Sequence, residues 1–186
     1  EWFIKQKYTA ANEAQTIWIK RGTGNSVIIH LLYTDDFLHF TNCKSLFQDF
    51  QRKFKDRFNT KTGDLNSYLG TKITQDRNRL VVEFDQSEYI EELLDRYDMT
   101  NCSSVGTPIT QRYSKDDTSM KLNLKDQALY RNMIGSILYL SCWSRPDIAF
   151  AVSELSRFVS FPTHIYLMGA KHLLRHLKGS KNLSTT

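Results

Sequence analysis

The stretch that most constrains this chain is Val27–Phe40, VIIHLLYTDDFLHF. Seven apolar or nearly apolar residues, Val27 to Tyr33, lead into Thr34, two adjacent aspartates and a second short apolar run. A run of that length, rich in Val and Ile, reads as a strand buried on both faces. The residues from Phe37 to Thr41 read as the returning strand, which puts Thr34, Asp35 and Asp36 at or beside the tip of a tight hairpin. Carboxylates packed against so much hydrophobe are costly to desolvate unless their charge is compensated. A hard divalent cation such as Mg²⁺, held by one or two carboxylates plus substrate phosphates, is one compensation. A solvated Asp-Asp turn is the other reading, because Asp favours turns. The hairpin alone leaves both open.

At 186 residues the chain is long enough for one ordinary domain, or for two small ones sharing a core. It lacks an initiator Met, which suggests a segment of a larger product. No apolar stretch approaches the roughly 20 residues of a membrane span, and the N-terminus does not resemble a signal peptide. The cysteines, Cys43, Cys102 and Cys142, are odd in number and scattered, so neither a disulfide framework nor a zinc knuckle is indicated and a reducing, intracellular setting is expected. The net charge of +5 is uneven: residues 1–60 carry +3, residues 61–120 carry −4 and residues 121–186 carry +6. A basic excess at both ends is compatible with a polyanionic partner, although proteins that bind no nucleic acid show it too.

Along the chain, Thr16–Arg21 alternates apolar and polar residues, and Gly22-Thr23-Gly24-Asn25 turns it into the run that begins at Val27, a β-hairpin. Residues 45–58 read as an amphipathic helix with a core stripe of Phe47, Phe50, Phe54 and Phe58. Residues 68–74 and 80–84 read as a second hairpin, and Ser87–Tyr97 as a helix capped by Asp85 or Ser87. From Asn101 to about Asp126 the pattern lapses into Ser, Thr, Asn, Asp and Lys, a linker. Three helices follow. The first spans 128–142; the second begins at Ser144-Arg145-Pro146-Asp147, with Ser as cap, and stops at Phe161-Pro162; the last is capped by Thr163 and ends at Gly179.

Few of these elements offer chemistry. His172 and His176 are four apart on the last helix, but the third ligand of a zinc-protease pattern is missing. Lys171, Arg175 and Lys178 share a face of that helix and are candidates for nucleic-acid backbone contacts, since a basic stripe matches a row of phosphates. There is no Gly-rich phosphate loop or nucleophile elbow. Asp35 and Asp36 remain the candidates for a catalytic site.

Tyr33-Thr34-Asp35-Asp36, set between strands, resembles the Tyr-X-Asp-Asp motif of reverse transcriptases, and the blocks that follow resemble copia-type retrotransposon polymerases in order and spacing. These blocks are DLNSYLG from Asp64 to Gly70, YIEELLDRYDM from Tyr89 to Met99, and Thr107-Pro108. Next come YRNMIGSILYL from Tyr130 to Leu140, RPDIAFAV from Arg145 to Val152, LSRF from Leu155 to Phe158, and LRHLKG from Leu174 to Gly179. The resemblance runs from about Thr16 to Gly179.

The resemblance implies an α+β fold, a partial polymerase palm of antiparallel β-hairpins plus helix, followed by a mostly helical thumb and connection. Residues 1-85 would be the C-terminal half of the palm with a primer-positioning hairpin. Residues 86-106 would start the thumb, 107-127 would be a linker, and 128-186 a helical connection toward a ribonuclease H domain. Asp35 and Asp36 would be the catalytic and metal-binding pair, with Mg²⁺ as cofactor and Mn²⁺ as the alternative. Tyr33, Thr34, Leu69 and Gly70 would lie near primer and nucleotide. Thr34 stands where Val, Met or Ala is more usual, and the segment around Lys61 is about one residue short of the family pattern, which leaves the role of Lys61 open. The implied partners are an RNA or DNA template with primer, deoxynucleotide triphosphates, and the rest of a Pol polyprotein: fingers and N-terminal palm, ribonuclease H and integrase. No membrane is implied, and the setting would be cytoplasmic, in a virus-like particle, or nuclear. The family's first metal-binding aspartate belongs upstream of these residues, so the isolated chain is expected to be inactive and, with a central strand short of neighbours, poorly soluble. The competing expectation is a degenerate, non-catalytic remnant that at most binds nucleic acid or protein.

Overall fold

In the computed structural model, which describes every residue except 62, 64, 115–117 and 186, the alternating and the apolar stretches pair as the pattern predicts. Strand β2 (Ile17–Arg21) runs antiparallel to β3 (Val27–Tyr33), from Ile17 opposite Leu31 to Arg21 opposite Val27. Strand β3 folds back on β4 (Asp36–Thr41), with Tyr33 opposite Asp36 as the last pair. A two-residue strand, β1 (Thr9–Ala10), covers the far edge of β2, so the sheet order is β1-β2-β3-β4. Both edges of β3 are therefore paired, unlike the open edge expected of it. The short helix α1 (Trp2–Lys5) and β1 were not legible in the sequence. They form because Phe3 and Tyr8 are buried in the same core as Trp18.

The chain divides into two compact units, Glu1–Leu69 and Gly70–Thr186, each with its own core. In the first, helix α2 (Lys44–Lys55) covers one face of the sheet and contributes Phe50 and Phe54. Strand β3 is consequently buried on one face rather than two: Ile28 and His30 are fully buried while Val27, Ile29 and Leu31 are half-buried. The core is mainly aromatic. Phe3 stacks on Trp18 with centroids 5.0 Å apart, and Phe50 stacks on Phe54 at the same separation. Helix α2 stops at Lys55, short of the expected residue 58, and leaves Phe58 partly exposed. The unit closes with the two-residue strand β5 (Ser67–Tyr68).

Two imidazoles sit in this aromatic layer. His30 and His39 are cross-strand partners, and their Nδ1 atoms lie 2.7 Å apart. One nitrogen must donate and the other accept, so the accepting ring is neutral, and burial disfavours charge on the donating ring as well. The buried Nε2 of His30 has no partner, which is cheaper for a bare lone pair than for an N–H. His30 therefore carries its proton on Nδ1 and donates to Nδ1 of His39. Burial first, and then the neighbouring His39, holds the His30 pKa down to about 3; burial holds that of His39 down to about 4.

The second unit begins with the hairpin β6 (Thr71–Asp76) and β7 (Val81–Asp85), whose turn is fixed by the Asp76 carboxylate accepting from the backbone N–H of Asn78 and Arg79. Helices α3 (Ser87–Arg96), α4 (Leu124–Trp143), α5 (Ala149–Ser156) and α6 (His164–Gly179) pack around Tyr130, Met133, Ile137, Leu155 and Leu173. Asp85 receives the N–H of Ser87 at the start of α3. Helix α4 starts earlier than the apolar spacing suggests, because Asn123 accepts from the Asp126 N–H and donates to its carboxylate.

The Ser-Arg-Pro-Asp segment does not start a helix in the expected way. It forms a short 3₁₀ turn, Pro146–Ile148, before α5, and the Ser144 hydroxyl donates to Gln86 Oε1 instead of capping. The reason is Arg145, which is only 1% exposed. Its Nε and Nη2 form a fork on the two Asp147 oxygens at 2.9 and 2.7 Å, while Nη1 and Nη2 reach the Ser180 carbonyl and hydroxyl. A guanidinium thus closes the C-terminal end of α6, where the helix dipole favours positive charge. The Arg145 hydrogen bond holds the Asp147 pKa below the usual carboxylate value.

The linker is a strap laid over α6. Lys178 Nζ donates to the carbonyls of Thr100 and Cys102, Arg175 Nε to that of Ser103, and the Tyr166 hydroxyl to that of Ser114. Gly169 lets Tyr113 approach: a Cβ there would lie 2.1 Å from the Tyr113 hydroxyl.

Two outcomes are expected. Arg145→Met, which keeps the stem but strands Asp147 and the Ser180 carbonyl, lowers stability by about 3 kcal/mol in a urea melt followed by circular dichroism. The histidine pair makes the first unit acid-sensitive, with the sign set by depressed folded pKa values. Below about pH 6.5 the unfolded chain takes up protons that the folded unit refuses until about 4 and about 3. Stability is complete above that point and falls as the pH drops toward 4 and 3; a urea midpoint for tryptophan fluorescence that stays flat over this window refutes it.

Candidate active site

The β3–β4 ladder runs without interruption to Tyr33 opposite Asp36, leaving Thr34 and Asp35 alone to reverse the chain. Thr34 takes φ +51°, a left-handed conformation that a β-branched residue adopts at a cost. The result is a tip with no residue beyond the two needed to close the ladder. Asp35 and Asp36 are both exposed there, not pressed into the apolar layer, so the desolvation problem anticipated from the sequence does not arise. Among the described residues neither carboxylate takes part in an ion pair.

Both aspartates line an open cleft of about 880 Å³ together with Thr34, Phe37 and His39. Its apolar wall is built by Trp2, Phe54 and Phe58, and the positive charges on its border are Lys55 and Lys61. Tyr68 completes the surroundings. Burial, then the Asp36 carboxylate and the Tyr33 phenol, raise its pKa above the ordinary tyrosine value. Two exposed carboxylates on a stiff turn are a hard-oxygen donor set suited to Mg²⁺ or Mn²⁺, and the open cleft leaves room for phosphate oxygens to complete a coordination sphere. Among the described residues no group of three or more His, Cys, Asp or Glu side chains is placed to share an ion.

The remaining expected residues are distributed as follows. Tyr33 is exposed on the last ladder pair, next to the aspartates. Leu69 (φ +50°) and Gly70 (φ +72°) are consecutive left-handed residues that turn the chain into β6; Gly70 suits such a position and Leu69 does not. Leu69 ends the first unit and Gly70 begins the second. Lys171, Arg175 and Lys178 lie on α6, where the strap carbonyls occupy Arg175 and Lys178. His172 and His176 go separate ways, to the Thr107 carbonyl and toward Asp147. Thr62 and Asp64, in the segment after Lys61 and at the start of the DLNSYLG block, lie outside the described residues. The sequence reading missed Trp2, His39, Lys55 and Tyr68 as neighbours of the aspartates.

Comparison with known proteins points the same way. The model of the family described as reverse transcriptase (RNA-dependent DNA polymerase) matches residues 2–111. The chain is similar to the retrovirus-related Pol polyprotein from transposon TNT 1-94 of Nicotiana tabacum, 29% identical over 97% of this chain and 14% of that protein. It is also similar to the Pol polyproteins from transposons RE1 and RE2 of Arabidopsis thaliana, 34% identical over 86% of this chain and 33% over 84%, each match spanning 11% of the polyprotein. The chain thus spans a small part of these relatives' length. No solved structure matches it.

The strain at Thr34 yields a direct test. Thr34→Gly relieves the left-handed conformation, and after the entropy lost with glycine the first unit gains about 1 kcal/mol. Thr34→Val, equally β-branched, gains nothing. Equal urea midpoints for the two variants would refute the assignment of strain to this residue.

Proposed function

The chain belongs to the reverse transcriptase (RNA-dependent DNA polymerase) family, and on that premise we propose that its Asp35–Asp36 turn is the metal-binding part of a deoxynucleotidyl-transfer site. The observation that carries the reading is the tight hairpin end, which presents both carboxylates to one cleft, where among the described residues neither is paired with a cation. The chain is a fragment of a retrotransposon polymerase, with a template and a larger Pol polyprotein as its context. In the reaction a primer 3′-hydroxyl attacks the α-phosphate of a deoxynucleotide and pyrophosphate departs.

Asp35 and Asp36 would hold Mg²⁺ through their carboxylate oxygens. When bound, the ion supplies charge stabilisation for the attacking and leaving oxygens. The protein's share of the work is positioning. The β3–β4 ladder fixes where the carboxylates stand, and its pairing holds Thr34 in the left-handed conformation that closes the turn. The aromatic wall of Trp2, Phe54 and Phe58 limits water on one side of the cleft, while Lys55 and Lys61 bring positive charge to its border, suited to a triphosphate. Tyr33 and Thr34 border the primer end in this reading, and Leu69-Gly70 belongs to the segment that positions it.

Two-metal transfer needs carboxylates from more than one strand, and this turn supplies two adjacent ones. The 186-residue chain by itself is therefore a metal-binding half-site without polymerase activity. Lys171, Arg175 and Lys178 are the residues we assign to backbone contacts with nucleic acid. Carbonyl dipoles, not carboxylates, receive Arg175 and Lys178, so the stripe keeps its net positive charge.

Titration with Mn²⁺ tests the site without requiring turnover. Paramagnetic broadening is expected for the amides of Thr34 to Phe37, and Asp35→Asn with Asp36→Asn abolishes it. In a primer-extension assay with Mg²⁺, the unmodified chain and Asp35→Asn incorporate no more than background. Broadening that survives the double substitution defeats the metal assignment, and incorporation that depends on Asp35 defeats the half-site.

A further inference from the structure

Strand β7 is an edge strand, and its outward side is already engaged at one point. The backbone N–H of Phe84 donates to the Thr185 carbonyl at 2.9 Å, and the N–H of Thr185 donates back to the Phe84 carbonyl at 3.2 Å. The two residues form an isolated antiparallel bridge. The Thr185 hydroxyl also bonds the Ser144 carbonyl at 2.5 Å, so this end of the chain is held from two directions. Such a reciprocal pair is one rung of an antiparallel ladder.

The rung fixes a register. Backbone groups alternate in direction along a strand, so those of Val82, two residues before Phe84, point to the same open edge. A strand continuing that antiparallel rung past Thr185 would run toward Val82. The side chains of Val82 and Phe84 share a face, and beside it the hairpin exposes apolar surface: Val82 is 41% exposed and Leu80 90%. Phe84, by contrast, meets the ring of Trp143 with centroids 6.5 Å apart. An unpaired edge with exposed β-branched and aliphatic residues is a strand-addition template.

We propose that the outward edge of β7 is a docking site for the polypeptide that continues past Thr186, which adds as a further antiparallel strand with its second residue after Thr185 opposite Val82. The occupant is the chain's own continuation, not a second copy, because the register is already seeded within one molecule by the Phe84–Thr185 rung. The relatives of which this chain spans 11 to 14% extend well beyond the matched region. The residue that faces Val82 is β-branched or aromatic, to cover the apolar side chains of Val82 and Leu80. In this arrangement the β6–β7 hairpin becomes the interior of a larger sheet, and the segment entering the next part of the protein is tied to it. The inference concerns backbone pairing at β7 and does not depend on the Asp35–Asp36 site.

Amide exchange measured by nuclear magnetic resonance tests it on two forms: the 186-residue chain, and the same chain lengthened by about ten residues of its own reading frame, the length of a generous strand. The Phe84 amide is protected in both, as an internal reference. The Val82 amide exchanges quickly in the first and is slowed about a hundredfold in the second. Thr185→Pro in the lengthened chain removes the seeding N–H; Val82 then loses its protection while the α6 amide of Leu173 keeps its own. Equal exchange at Val82 in the two forms overturns the proposal, and so does protection at Val82 that survives Thr185→Pro.

Discussion

The first unit depends on the hydrogen-bond ladder on both edges of β3. Strand β2 pairs with it over five residues and β4 over six, so its backbone polar groups are satisfied without help from solvent. Everything that positions the aspartates follows from that pairing. Register puts Ile28, His30 and Leu32 on the face that α2 covers, and carries the ladder to the last residue before the turn. A one-residue slip would send His30 to solvent and Ile29 inward, and would break the His30–His39 contact. The imidazole pair therefore acts as a register lock: only one alignment brings the two Nδ1 atoms together in the aromatic layer.

In the second unit a single buried cation has the comparable role. Arg145 would be untenable in an apolar core by itself. It is tolerated because a fork on Asp147 satisfies one side of the guanidinium and the end of α6 satisfies the other. The same group fixes the junction of α4 and α5 and terminates α6, so one side chain ties three helices. Asp147 remains 40% exposed, which keeps its charge solvated and confines the desolvation cost to the arginine. The strap over α6 follows a similar logic in weaker form. Lysine and arginine donate to backbone carbonyls of the strap, and a glycine at position 169 admits the tyrosine that anchors it.

The sequence was most legible where a period or a turn residue carries the information. The hairpin around Thr34–Asp36, the phenylalanine stripe of α2 and the helices α3 and α6 were all readable from spacing. So was the position of the Asp pair at the hairpin tip. Three things were hidden. The burial of β3 on one face could not be seen, because a continuous apolar run has the same composition whether one layer or two cover it. The 3₁₀ turn after Ser144 was hidden because Ser-Arg-Pro-Asp is a good cap in isolation, and only the long-range contacts of Arg145 with Ser180 and of Ser144 with Gln86 redirect it. Helix α1 and the lining role of Trp2 were hidden because they depend on tertiary packing against Phe54 and Phe58, residues some fifty positions away. In each case local pattern lost to a contact far along the chain.

The aspartates themselves illustrate a division of labour between charge and rigidity. In the role proposed for it, the carboxylate pair is best left without a lysine or arginine partner, since that partner would have to be displaced by the ion. Exposure also spares it the desolvation that favours protonation over ionisation before an ion arrives. Solvent exposure meets both conditions but ordinarily costs order, because exposed loop tips move. Here the order is supplied from below: the ladder ends one residue before the turn, and an aromatic layer fixes the sheet beneath it. The strain at Thr34 is a consequence of asking two residues to close that ladder, and it persists because the pairing on either side outweighs it. The site is thus charged and wet while resting on an ordered base, and that base is the backbone ladder with the uncharged aromatic layer beneath it.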